Sequence, residues 1–181
     1  MNLFLTELGY FGPYILTILI GYYFYRDHKI STAIPSTENS TAIPSTAMSI
    51  EKDRIISPEL FFIDCAILNE TSNRVLKQII KQPRPQGINY INYWDSFDNA
   101  KKHYYGMPSG HAQNVASAAT FLILYTNNTY LAIYAIAQVL LTLYQRYYYR
   151  KHTIGQLCVG TILGTTTGII YYKLFQKYVK I

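Results

Sequence analysis

Long apolar blocks separated by short polar breaks dominate this chain and restrict its possible folds more than any other feature. A helix of twenty-odd apolar residues, rising about 1.5 Å per residue, covers a bilayer hydrocarbon core of about 30 Å. Residues 3–25 form the first such block. Glu7 is its only charge, Arg26 and Asp27 end it, and Pro13 is a kink that membrane helices tolerate. Residues 59–80 carry Asp64, Glu70 and Arg74 within an apolar periodicity, which fits a helix with one face against other helices better than a lipid-exposed span. Residues 109–126, 129–149 and 153–172 complete the set. The last contains Gly155, Gly160, Gly164 and Gly168 every four or five residues, the spacing of a tightly packed membrane helix. The expectation is an all-α integral membrane protein, a multi-pass helical bundle of about five transmembrane spans.

Composition supports a bilayer as solvent. Charged residues make up 14% of the chain, against about 25% in soluble domains. The formal charge of +6 would raise nucleic acid as a partner for a water-soluble protein. Here the basic residues lie at the ends of apolar blocks, where anionic headgroups or a phosphorylated substrate would meet them, and no nucleic-acid module is visible. Cys65 and Cys158 both fall in apolar stretches and read as small core hydrophobes. Four histidines without clustered Cys or carboxylate partners do not make a structural zinc site. No basic region precedes the first block, so it reads as a retained span rather than a signal peptide.

Four segments follow. Residues 1–25 are a first transmembrane helix, 26–58 a polar low-complexity linker, 59–173 a membrane core, and 174–181 a basic tail. The linker repeats STAIPST at 31–37 and 40–46, and Ser, Thr and Pro at that density build no core. The polar stretch after residue 85, with Tyr90, Tyr93, Trp94, Tyr104 and Tyr105, suits a loop at the membrane interface. Sequons begin at Asn39, Asn69 and Asn127.

Alternation of the helices brings residues 77–85, 108–111 and 146–152 to one membrane face. Lys77, Lys81, Arg84, His111, Arg146, Arg150, Lys151 and His152 gather there with few carboxylates. Such cations repel one another unless an anion joins them, and phosphate suits Arg and Lys together. One histidine can attack phosphorus while the other protonates the leaving oxygen. Pro108, Ser109 and Gly110 suggest a turn into a helix amino terminus, whose N–H groups and Ser109 hydroxyl can bind anionic oxygens. Gln156 lies four residues after His152, on the same helical face, and can fix its tautomer by a hydrogen bond. On these grounds alone, interfacial basic residues with core histidines remain the alternative.

KQIIKQPRP (77–85), PSGH (108–111) and RYYYRKH (146–152) resemble, in order and spacing, the three motifs of the type 2 phosphatidic acid phosphatase (PAP2) superfamily. The first matches as Lys77, six residues, then Arg84 and Pro85. The second matches throughout, and the third as Arg146, five residues, then His152. The resemblance implies an all-helical core that hydrolyses a phosphomonoester or diphosphate without metal or cofactor, its partner a phosphorylated membrane lipid. It also implies the roles. His152 is the nucleophile that becomes phosphohistidine, and His111 donates the proton to the leaving group. Lys77, Arg84, Ser109, Gly110 and Arg146 hold the phosphoryl oxygens.

Two positions depart from the common pattern: Gln145 replaces a Ser, and Gln156 replaces an Asp that would also stabilise the charged ring. Gln at the latter position resembles the dolichyl diphosphatase and glucose-6-phosphatase branches. YGMPSGH and HTIGQ look like the dolichyl branch, so a polyprenyl or dolichyl diphosphate is slightly preferred over a phosphatidate-type lipid. Two other functions compete. One is a non-catalytic membrane protein that binds phosphorylated lipid, which Gln145 favours and the paired histidines disfavour. The other is a phosphatase of a soluble phosphate ester.

Overall fold

The computed structural model describes residues 3–33, 57–86 and 105–179. These residues form five helices: α1 (Leu3–Ala33), α2 (Pro58–Ile80), α3 (Gly110–Thr126), α4 (Thr129–Tyr148) and α5 (Ile154–Tyr178). Most of the STAIPST linker and most of the expected interfacial loop lie outside the described residues.

Local chemistry sets the helix ends. At α2, Ser57 Oγ accepts from the Leu60 N–H at 3.3 Å, and Pro58 occupies the first turn, where no N–H is needed. Lys81 closes α2 in the left-handed region at φ 52°, two residues before Pro83. Asn128 Oδ1 accepts from the N–H groups of Tyr130 and Leu131 to start α4. α5 opens with a capping box in which Thr153 and Gln156 each accept the other's backbone N–H. α1 outruns its apolar block and passes the exposed Arg26–Asp27 ion pair. α5 likewise continues beyond residue 172, so Lys173 and Lys177 are helical.

The expectation of five transmembrane spans is corrected: among the described residues two helices qualify. Phe4–Asp27 in α1 and Ile154–Tyr178 in α5 are long and apolar enough to cross a bilayer, each with mean hydropathy 1.3. Most of each helix faces outward, with 39% and 28% buried, and this fits an integral membrane protein. The other three fall short for separate reasons. α2 contains Asp64, Glu70, Arg74 and Lys77, α3 has only 17 residues, and α4 includes Gln138, Thr142, Gln145 and Arg146. Much of their polar character is used between helices, which a count of apolar residues along the chain does not reveal.

Two interfaces position the rest. α5 lies closely on α3 because Gly160, Gly164 and Gly168 sit over the carbonyls of Ser109, Gln113 and Ser117, where a side chain would collide. Gly155, the fourth glycine of the run, is exposed and takes no part. α1 docks on α4 through three side-chain donors one or two turns apart. Gln138 Nε2 donates to Leu8 O (2.7 Å), Thr142 Oγ1 to Gly9 O (3.0 Å) and Gln145 Nε2 to Thr6 O (2.9 Å). Pro13 has no N–H, so Gly9 O loses its helical donor four residues on, and the Thr142 hydroxyl replaces it. At the end farthest from the motifs, Phe24, Phe61, Phe121, Tyr125 and Phe175 form an aromatic cluster, with Phe24 and Phe175 stacked at 5.2 Å.

Candidate active site

Backbone hydrogen bonds join the three motif segments at one end of the bundle. Gly106 N–H donates to Gln82 O (2.8 Å), and an isolated bridge pairs Pro83 with Tyr105. The Ser109 N–H donates to Gln156 O (3.1 Å), and the Lys151 N–H to Arg146 O (2.9 Å). The strand-like segment after α2, the turn before α3 and the turn between α4 and α5 therefore hold one another.

His152 lies where they meet and is buried. Its Nδ1 is 2.9 Å from Gly106 O and 3.3 Å from Gln156 Oε1. A carbonyl cannot donate, so Nδ1 carries the proton and Nε2 carries the lone pair. The amide of Gln156 has its own anchor: Nε2 donates to Pro83 O (2.8 Å) and Gln82 Oε1 (3.2 Å), which turns Oε1 toward His152. Gln156 thus touches all three segments. Gly106 is a residue that sequence reasoning missed, and the reason for glycine is space: a Cβ there would lie 2.5 Å from Gln156 Oε1.

Burial, and then the charges of Arg84, Arg146 and Lys77, hold His152 well below the ordinary imidazole value. The same three cations act on His111, so the expected constellation of Lys77, Arg84, Arg146, His111 and His152 is brought together. Because the charged ring is disfavoured in the folded state, His152 stays neutral through about pH 6.5. Stability from this group is fully present above that pH and is lost as pH falls through the lowered folded value. An NMR titration of the phosphate-free protein should show no His152 ionisation near pH 6.5. Added orthophosphate, whose charge offsets the three cations, should move the midpoint upward.

The other predicted residues divide. Ser109 is fully buried and caps α3, its Oγ accepting from the Ala112 N–H at 3.4 Å, which leaves its hydroxyl hydrogen to donate. A Cβ at Gly110 would lie 3.7 Å from Lys77 Nζ, so that ammonium reaches the amino terminus of α3. His111 Nε2 is buried with no hydrogen-bond partner among the described residues. Its ring lies 5.3 Å from the Tyr10 ring, and Tyr10 also lies beneath the Arg146 guanidinium at 5.0 Å. α1 therefore supplies a wall of the site, and no motif announces it.

Gln145 is turned away toward α1, so its departure from Ser affects helix docking instead of removing a ligand from the cluster. Lys151 is fully buried, whereas Lys81 and Arg150 are exposed. Asn69, the start of a sequon, is buried. It belongs to a network in which Gln113 Nε2 donates to Asn69 Oδ1 (2.9 Å) and Asn73 Nδ2 to Gln113 Oε1 (2.8 Å). Asn73 Nδ2 also reaches Pro108 O at 3.4 Å, which steadies the turn into α3. The recoverable signal was Asn69 and Asn73 four apart on α2, facing the polar Gln113–Asn114 pair of α3. Among the described residues no three His, Cys, Asp or Glu side chains gather for a metal ion, and the gathered charges are cationic.

The family model for the PAP2 superfamily matches residues 59–180, which carry all three of these segments. The chain belongs to the PAP2 superfamily. It is 36% identical over 117 residues to the dolichyldiphosphatase of Saccharomyces cerevisiae, covering 59% of this chain and 47% of that protein. Against human dolichyldiphosphatase 1 it is 31% identical over 132 residues, covering 64% and 52%. The chain thus spans about half the length of these relatives. The fold is shared with the crystal structure of a transmembrane PAP2 type phosphatidylglycerolphosphate phosphatase from Bacillus subtilis. The TM-score is 0.55 at 18% identity, with 95% of this chain and 96% of that one covered.

Proposed function

We propose that this PAP2 chain hydrolyses a phosphorylated membrane lipid through a phosphohistidine at His152, without a metal ion. The observation that carries this reading is the fixed tautomer of His152, whose Nδ1 is held by Gly106 O and Gln156 Oε1 so that Nε2 bears the lone pair. Nε2 attacks phosphorus and the bond to the leaving oxygen breaks. His111, whose buried Nε2 has no hydrogen-bond partner among the described residues, takes up a proton once the substrate's phosphate charge offsets the cations around it, and gives that proton to the leaving oxygen. Water then attacks phosphorus, losing a proton to His111, as the phosphorus–nitrogen bond breaks; phosphate leaves and the electron pair returns to His152 Nε2. Lys77, Arg84 and Arg146, with the Ser109 hydroxyl and the Gly110 N–H, hold the phosphoryl oxygens and offset charge in the transition state.

The substrate in this reading is a polyprenyl or dolichyl diphosphate, which leaves as the lipid monophosphate. Support comes from the relatives named dolichyldiphosphatase and from Gln156 in place of an acid. Residues 59–173 are the catalytic unit and the chain is multi-pass, with α1 and α5 in the bilayer. The test is phosphate release by the detergent-purified protein in EDTA, comparing a polyprenyl diphosphate, phosphatidate and a soluble sugar phosphate. Release from the prenyl substrate is expected; release from none of the three sinks the proposal.

A substitution at Gln156 tests its part in the reaction. Gln156→Leu keeps the volume but removes one acceptor from Nδ1 and the anchor to Pro83. It should lower kcat about a hundredfold, the scale on which loss of an imidazole's orienting partner acts, with a smaller change in KM. An equal fall in KM and kcat, or none in either, would detach Gln156 from the reaction.

A further inference from the structure

Beside His152 a cavity of about 770 Å³ opens between Pro85, Tyr148, Arg150 and the turn into α5. A second space of about 440 Å³ adjoins it, and Tyr144, Tyr147 and Ile154 line both. This second space is a groove between α4 and α5, apolar along its length and completed by Leu143, Cys158 and Ile162. Tyr144, Tyr147, Ile154 and Ile162 are exposed, so the groove opens on the outer surface of the bundle. One end leads to the cavity that His152 and Arg150 line, and the other to the lipid-facing flank of α5, a helix that qualifies as a span.

We propose that this α4–α5 groove seats the first part of a single isoprenoid tail, whose diphosphate head passes through the adjoining cavity to His152. The inference rests on the phosphatase reading and adds to it a site for the tail. The occupant follows from three features. Continuity with the cavity at His152, where the phosphatase reading puts the reacting phosphate, calls for a ligand with a charged head and an apolar chain. A single groove suits one chain, whereas a diacyl lipid would leave one of its two chains outside. From Ile154 to Ile162 the groove follows about 12 Å of helix, so it holds only the head-proximal part of a long chain. Because the tail comes from an already apolar bilayer, the groove contributes little transfer energy; its effect is to orient the head against Nε2.

Cys158 provides the probe, since it is free and exposed in the groove while Cys65 is buried. The rate at which a bulky apolar maleimide labels Cys158 in the full chain would be read by peptide mass. Farnesyl diphosphate should slow labelling several-fold, and isopentenyl diphosphate should not. Once Cys158 is labelled, KM for farnesyl diphosphate should rise about tenfold, a loss of about 1.4 kcal/mol in binding, with turnover of isopentenyl diphosphate little changed. Equal protection by both diphosphates, or none by farnesyl diphosphate, overturns the groove assignment. If neither diphosphate is hydrolysed by the unlabelled protein, the phosphatase reading fails, yet the protection comparison still decides the groove.

Discussion

The His152→Ala protein should release phosphate at least about 10⁴-fold more slowly than the unaltered chain, the scale on which loss of a covalent nucleophile acts. The ring is held at Nδ1 by two acceptors, so Nε2 is the atom it presents for attack, and alanine offers none. His152 is buried, so alanine also leaves a hole beneath Gly106. The His152→Gln protein guards against that, because it fills most of the space and keeps a donor for Gly106 O. Both variants should lose turnover while melting in detergent within a few degrees of the parent. Retained hydrolysis in the folded His152→Gln protein would remove the phosphohistidine from the mechanism. The His111→Ala protein should lose less, about 10²- to 10⁴-fold, as is usual for a general acid.

Gly164→Val should be the most damaging substitution outside the site. A Cβ at Gly164 would be driven into the backbone carbonyl of Gln113 and come within 2.9 Å of the Ala116 Cβ. Neither neighbour is the far end of a flexible side chain, so the helices must part. Overpacking at such a contact costs about 3 kcal/mol, and a branched side chain adds to it. The damage should reach the site, since α3 carries Ser109, Gly110 and His111 at its start and α5 is bonded to the Ser109 N–H through Gln156 O. Thermal unfolding in detergent checks this, with Gly155→Ala as the control. Gly155 is exposed and no atom lies closer than 4.0 Å to its Cβ position, so that protein should melt like the parent. Equal melting of the two variants would show that the α3–α5 contact is not what holds the bundle.

Much of the site was legible because its residues are chemically unusual for their surroundings. Lys77, Arg84, Arg146, His111 and His152 stand out in a chain with few charges, and alternating helices carry them to one end. The start of α3 was legible for a similarly local reason. Ser109 is a cap residue, and a cap is satisfied within its own turn. Spans were less legible. Apolar blocks look alike whether they face lipid or another helix, so α2, α3 and α4 passed as spans although charge, length or polar content sets them apart from α1 and α5.

By itself, then, the sequence determined the helices, the PAP2 motifs and the cationic character of one end of the bundle. These depend on residues close in the chain or on chemistry that no packing alters. Tertiary structure alone decided what those residues touch. It turned Gln145 to α1 and not to the anion site, made Gly106 the acceptor for His152, and placed Tyr10 under Arg146. The same holds for Asn73 and Gln113, which pair across helices behind the motif turn. The physical reason is common to all of them. A hydrogen bond or a close approach between residues 40 to 140 apart depends on helix rotation and tilt. Those are set by the summed packing of glycines, aromatic rings and buried amides, and no local pattern in the chain encodes that sum.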